Sequence, residues 1–236
     1  MFAGVDGCPA GWLAVLWKGG SVPEVRLCGG FADVLALPAE IIAVDIPIGF
    51  PERTGYGGRQ ACVEARARLG ERRSSVFSVP SRAAVMCGDY REACAVNLAN
   101  SDPPRKVSKQ CFMLFDKMRE VDGLLTPELQ SRVFEAHPEL AFWAMNGEQP
   151  LDLPKKVKSV PHVPGLALRR ELLARAGFPV AELVRPAVNR AKVGDDDLID
   201  AAALSWTALR IARGEHITVP DNPPCDGRGL RMEINA

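Results

Sequence analysis

Charge of one sign is the first thing this chain lacks. Across 236 residues, 29 Lys and Arg are matched by 29 Asp and Glu. No long-range field therefore gathers polyanions, and a nucleic-acid site has to come from local clustering of Arg and Lys. A run of about 18 uncharged apolar residues, the length a membrane helix needs, is also missing. The first residues are apolar but include Asp6, with no basic segment ahead of them, which does not read as a secretory signal. The seven cysteines are odd in number, scattered from Cys8 to Cys225 and never spaced Cys-x-x-Cys, which argues against a disulfide framework and a zinc knuckle. These absences predict a cytoplasmic globular protein with reduced thiols and no membrane partner.

What is present reads as an α/β plan. Residues 2–6, a Gly/Pro turn at 7–11, residues 12–17 and, past Gly19-Gly20, residues 24–28 predict an antiparallel meander of three strands. Residues 31–37 have helical spacing. Residues 41–45 form an apolar run ended by Pro47, as expected of a central strand buried on both faces. Helices are predicted at 59–73, 81–100, 108–125, 138–145 and 166–176, with a short strand at 132–135. The closing helix, 195–213, is apolar almost all round beyond Asp200, which implies burial. The tail at 220–236 reads as surface coil. The sum is one α/β domain over 1–236, a mixed five-stranded sheet flanked by helices, with helical insertions at about 52–130 and 147–194.

In this plan Asp6 and Asp45 end buried strands at the carboxyl edge of the sheet, where α/β folds form ligand sites. The third acidic group is Asp195-Asp196-Asp197-Leu198-Ile199-Asp200. There Asp197 and Asp200 stand at i,i+3 on one helix face, and like charges so placed repel unless a cation neutralises them. Capping and the helix dipole account for acidic residues in a first turn. Asp200 lies in the second turn, before a buried stretch, where an unpaired carboxylate is costly. If the three segments converge, their carboxylates suit a hard divalent cation, Mg²⁺ or Mn²⁺.

Glu135 and His137 follow at the end of the fifth predicted strand, where alternation sets them on one face. They read either as a further ligand and a proton shuttle or as an Arg partner and a turn hydrogen bond. Arg66, Arg72 and Arg73 with Ser74 and Ser75, extended by Arg82, form the best phosphate-contacting segment, because Arg forks and hydroxyls suit phosphate oxygens. A solvated helix face is the competing reading, since Glu64 and Glu71 dilute the charge. Lys155, Lys156 and Lys158, in a Pro-bounded loop, read more as solubilising charge than as substrate contacts. Trp12 and Trp17 read as sheet packing.

Six blocks carry a family resemblance: Gly4-Val5-Asp6-Gly7-Cys8 with Gly11-Trp12; Val44-Asp45-Ile46-Pro47-Ile48-Gly49-Phe50-Pro51; Arg72-Arg73-Ser74-Ser75-Val76-Phe77 with Pro80 and Arg82; Glu120-Val121-Asp122; Glu135-Ala136-His137-Pro138-Glu139-Leu140; and Asp196-Asp197-Leu198-Ile199-Asp200-Ala201. In this order they resemble the family called domain of unknown function 429, regarded as predicted ribonuclease H-like nucleases. The blocks run from about Gly4 to Arg213. One departure is visible: the family often has an acidic residue directly after the cysteine corresponding to Cys62, where this chain has Val63.

The resemblance implies a ribonuclease H-like core in which Asp6, Asp45, Asp197 and Asp200 correspond to metal-binding carboxylates. It implies two-metal-ion hydrolysis of phosphodiester bonds, with Asp45 as the expected bridging ligand and nucleic acid as the expected partner. Linear and branched, RNA and DNA substrates stay open at this level. Two readings from other classes stand beside it. One is a catalytically idle binding module in nucleic-acid processing. The other is an ATP-binding phosphotransferase of related core, which would need a duplicated core and Gly-rich phosphate loops. The chain is short for that duplication and has no Gly-x-x-x-x-Gly-Lys-Ser/Thr motif.

Overall fold

Alternation along the first two strands decides which face of the sheet carries which chemistry. In the computed structural model, which describes residues 1–158, 160–189 and 191–236, Phe2–Cys8 (β1) turns tightly through Pro9-Ala10 and pairs antiparallel with Gly11–Trp17 (β2). Ser159 and Arg190, inside the second expected insertion, lie outside the described residues. Glu24–Cys28 (β3) adds antiparallel to β2, Phe31–Leu35 (α1) crosses over, and Ile41–Val44 (β4) returns parallel to β1. Val133–Glu135 (β5) lies parallel to β4, so the sheet order is β3-β2-β1-β4-β5.

The connection from β4 to β5 carries Gln60–Arg68 (α2), Arg82–Val85 (α3), Tyr90–Ala99 (α4), Lys109–Phe112 (α5) and Phe115–Leu124 (α6). Then come Pro138–Met145 (α7), the hairpin of Lys156–Val157 (β6) with Val160–Pro161 (β7), Val163–Arg175 (α8) and Asp195–Arg213 (α9). The chain ends with Thr218–Val219 (β8) paired antiparallel to Ile234–Asn235 (β9). Among the described residues no helix is long and apolar enough to cross a membrane. All seven cysteines are free thiols, and six of them are buried.

Both faces of the sheet are covered, as the continuous apolar runs require. Ala3, Val5, Trp12, Ala14, Ile42, Val44 and Val133 share one core with α1 to α6. Leu13, Val15 and Trp17 face the other way, into a core with α7, α8 and α9. The odd-even register therefore puts Gly4 and Asp6 on the α9 face. Gly4 is what lets the helix sit there: a Cβ at this position would fall 2.1 Å from the carbonyl oxygen of Ala201 and 2.0 Å from the backbone nitrogen of Ser205. The helix backbone rests directly on β1, which brings Asp200 over the carboxyl end of the strand.

Four sequence expectations need correction. The predicted helix at 81–100 is two helices, broken at Gly88 where the Asp89 side chain caps α4 by accepting from the backbone N–H of Arg91 at 2.8 Å and Glu92 at 3.0 Å. The one at 108–125 is α5 and α6, separated at Met113-Leu114. The one at 59–73 ends as α2 and continues as a 3₁₀ turn, Gly70–Ser75, because Gly70 takes a positive φ of 52°. The tail at 220–236 is surface coil only in its first part: residues 221–229 are mostly exposed, but Leu230 and residues 232–236 are buried and Ile234–Asn235 is a strand. Short period-two spacing amid Pro, Gly and Asp hid that strand. Asn235 fixes it to the edge of the sheet, donating from Nδ2 to the Glu135 carbonyl at 3.0 Å.

Candidate active site

Asp6 and Asp45 follow the last register pair of the parallel strands, Val5 with Val44, and the Asp45 N–H donates to the Val5 carbonyl at 2.9 Å. In-register neighbours on parallel strands point the same way, so both carboxylates rise on the α9 side of the sheet. They line a cavity of about 550 Å³ together with Asp196, Asp197 and Asp200 at the head of α9, His137 and Glu139 at the head of α7, and Lys155 and Lys156 from the loop before α8. Two strand ends and two helix starts thus converge, as expected for the carboxyl edge of an α/β sheet.

The electrostatics are those of crowded like charges. Burial, then the neighbouring charges of Asp45 and Asp200, hold the Asp6 carboxyl well above the usual range. Burial pushes Asp45 up to about 6, with Lys155 pulling against it and Glu139 adding to it. Asp200 is likewise pushed up to about 6 by burial, against the pull of Lys155. Lys155 answers this crowding: its Nζ donates to Asp200 Oδ2, and the charges of Asp200, Asp6 and Glu139 hold it protonated against its burial. Lys156 pairs with Asp196 at 2.5 Å.

Asp197 is turned to another task. Its Oδ2 accepts the Gly194 N–H at 2.8 Å and closes the capping box of α9. Burial still raises its carboxyl, with that N–H acting against it. Of the Asp197 and Asp200 pair, Asp200 is the one with a buried unanswered atom, its Oδ1.

Glu135 lines the same cavity but rises from the opposite face of the sheet to Asp45. Its register partner is Val44, and its carboxylate forms a buried ion pair with Arg59, 2.5 Å to Nη2 and 2.8 Å to Nη1, while accepting the Ile48 N–H at 2.6 Å. That is the Arg-partner reading of Glu135. His137 leaves the strand as the first residue before α7, with Nε2 3.3 Å from the Ser75 carbonyl and Nδ1 buried without a partner. Burial lowers its pKa, which keeps the ring neutral near pH 7.

The predicted phosphate-contacting segment splits. Ser74 and Ser75 line the cavity. Arg66, Arg72, Arg73 and Arg82 are not among its lining residues. Arg66 holds the carbonyls of Gly57 and Val76. Arg82 is bound to Asp122 at 2.9 Å and to Asp226 of the tail, over the ring of Phe50. Arg72 lies 3.5 Å from Glu71, and Arg73 is exposed.

Apart from Arg59, which is paired with Glu135, the positive groups of the cavity are lysines that the sequence did not place there. Lys117 lines it with its Nζ on the Gly11 carbonyl at 2.6 Å and over the Trp12 ring. Lys155 and Lys156 complete the set. The signal for Lys155 was indirect: a buried Asp200 needs a cation, and the chain offers two adjacent lysines in the loop preceding α8.

Mg²⁺ or Mn²⁺ is the group the sequence implies here. Oxygen donors of Asp6, Asp45 and Asp200 in one cavity, raised carboxyl pKa values and the unpartnered Oδ1 of Asp200 fit a hard cation. As they stand, no three His, Cys, Asp or Glu among the described residues are gathered closely enough to hold an ion.

A family model described as a protein of unknown function, DUF429, matches residues 4–224. No curated protein and no solved structure matches the chain.

Proposed function

Because the chain belongs to the DUF429 family, whose description assigns no activity, its function has to be read from the cavity, and we propose that it is a metal-dependent phosphodiester hydrolase acting on nucleic acid. The observation that carries this reading is the side-by-side placement of Asp6 and Asp45 beneath Asp200, with all three carboxyls raised. Carboxylates on adjacent parallel strands facing a third from a helix are a donor set for Mg²⁺ or Mn²⁺. When bound, such an ion activates a water and offsets charge on the leaving oxygen.

The chain's own residues supply the rest. Asp6, Asp45 and Asp200 would hold the ion, with Asp197 beside them fixed by its cap. Lys117, Lys155 and Lys156 bring cationic groups to a cavity whose lining carboxylates outnumber them, so a bound ion would supply the rest of the positive charge that a phosphodiester needs. The Ser74 and Ser75 hydroxyls offer phosphate contacts at its wall. His137, neutral and with a free ring nitrogen, is placed to pass a proton at Nδ1. The sheet order, an antiparallel meander on one side of β1 and parallel β4 and β5 on the other, supports the ribonuclease H-like reading of the core.

One observation favours the idle binding module: Lys155 already neutralises Asp200. Incubation with single-stranded, duplex and branched DNA and RNA in Mg²⁺ separates the two. A hydrolase gives chelator-sensitive cleavage that disappears in Asp45→Asn. Cleavage that persists in the variant, or none on any substrate, contradicts the hydrolase.

A further inference from the structure

The backbone around Lys155 is held unusually firmly for a loop between two helices. Arg169 of α8 is fully buried and donates from Nη1 to the Leu153 carbonyl at 3.0 Å and the Gly165 carbonyl at 2.9 Å. Its other nitrogens clasp both oxygens of Glu139, at 2.6 and 2.7 Å from Nη2. Pro154 lies so close to α8 that a Cβ on Gly165 would fall 1.9 Å from its carbonyl oxygen. His162 closes the loop from the far side, with Nδ1 3.1 Å from that same carbonyl and its N–H donating to the Lys155 carbonyl at 2.8 Å. Residues 153 to 155 are therefore a fixed platform.

A buried Arg and Glu pair is costly to desolvate and is a weak source of net stability. What this pair does is aim one lysine. From the platform the Lys155 side chain reaches into the cavity, and its Nζ meets Asp200, whose other oxygen has no partner.

We infer that Lys155 is an internal counter-cation for the carboxylate cluster, competing with a divalent ion for Asp200 and swinging onto substrate phosphate when the ion enters. The inference rests on the metal-dependent reading of the same cavity and extends it to a residue outside the carboxylate set. The geometry argues for side-chain rotation and against opening of the loop. The backbone on both sides of Lys155 is tied down, whereas the four-carbon stem with its compact ammonium is free to take a second rotamer. An ion on the unpartnered Oδ1 of Asp200 would lie beside the ammonium on Oδ2 of the same buried carboxylate, and repulsion between these like charges sets the two states in competition. A displaced Nζ keeps its charge inside the cavity, where a bound phosphodiester offers it an anion.

The test is Mn²⁺ titration by calorimetry into the native protein, Lys155→Met and Lys117→Met. The Lys117 variant removes an equal charge from the same cavity without freeing a carboxylate, since Lys117 holds the Gly11 carbonyl. Competition predicts that Lys155→Met binds Mn²⁺ about tenfold more tightly or better, because the binding-competent fraction rises, while Lys117→Met stays near native. Lys155→Gln serves if the Met variant does not fold. Equal gains in both variants mean a general field effect and overturn the competition. Native-like affinity in Lys155→Met overturns it while leaving the metal site in place. Absence of binding in all three proteins removes the metal reading itself, and the competition falls with it.

Discussion

The Asp45 N–H bonds to the carbonyl of Val5 at 2.9 Å, and this one backbone contact sets Asp45 level with Asp6 on the neighbouring strand. Parallel pairing from Phe2 with Ile41 to Val5 with Val44 fixes the level, and the alternation of the strands fixes the direction. Two carboxylates are thus forced together by sheet geometry rather than by any attraction between them. Repulsion of this kind, in a buried setting, is a cost to the fold, and such clusters are common at ligand sites.

The position of the third carboxylate depends on Gly4. Any side chain there meets the backbone of Ala201 and Ser205 at 2.0 to 2.1 Å, and backbone cannot rotate away. Gly4→Ala is expected to push α9 off β1 and to cost about 1–3 kcal/mol or more, as overpacking does. Urea unfolding reads the loss. A Gly4→Ala protein of native stability with unchanged Mn²⁺ binding would show that the helix does not rest where described.

Glu135 is expected to act on stability through Arg59. Both side chains are buried, 1% and 5% exposed, so Glu135→Ala leaves a guanidinium without its counter-ion and is expected to cost about 3–5 kcal/mol. The double variant Arg59→Met with Glu135→Leu should regain much of that loss, since it removes both charges. Thermal unfolding of the single and double variants checks this. Native stability in Glu135→Ala, with loss of cleavage alone, would return Glu135 to a direct chemical role.

The raised carboxyls make a statement about pH. Asp45 and Asp200 titrate at about 6 in the folded chain against an ordinary 3.8, so the folded state holds more protons between those values. Stability from these groups therefore falls as pH rises through that window, with nothing lost below 3.8 and the full penalty present above about 6. Asp45→Asn removes one such penalty. It is expected to raise the urea midpoint of the metal-free protein at pH 7 and to flatten the profile from pH 4 to 6. A lower midpoint at pH 7 would mean that the Asp45 charge is welcome in the fold.

Much of this was legible in the sequence, and the rest was not for identifiable reasons. Helices at 138–145 and 195–213 were announced by Pro138 and by an acidic first turn, and α7 and α9 have those limits. Asp6 and Asp45 could be placed because apolar runs announce buried strands. Breaks between α3 and α4 and between α5 and α6 were hidden, because apolar spacing continues across Gly88 and Met113. The roles of Arg59, Arg82 and Arg169 were invisible, since each partner lies 30 or more positions away: 76 residues to Glu135, 40 to Asp122 and 30 to Glu139. Lys155 was readable only as a need, a buried Asp200 that required a cation from somewhere.

The most direct measurement is calorimetric titration of Mn²⁺ into the metal-free protein, paired with Asp6→Asn. Saturable binding by the native protein that disappears in the variant is expected, because Asp6 stands beside Asp45 and within the field of Asp200. Native binding that survives in Asp6→Asn, or no binding by a folded native protein, would contradict it.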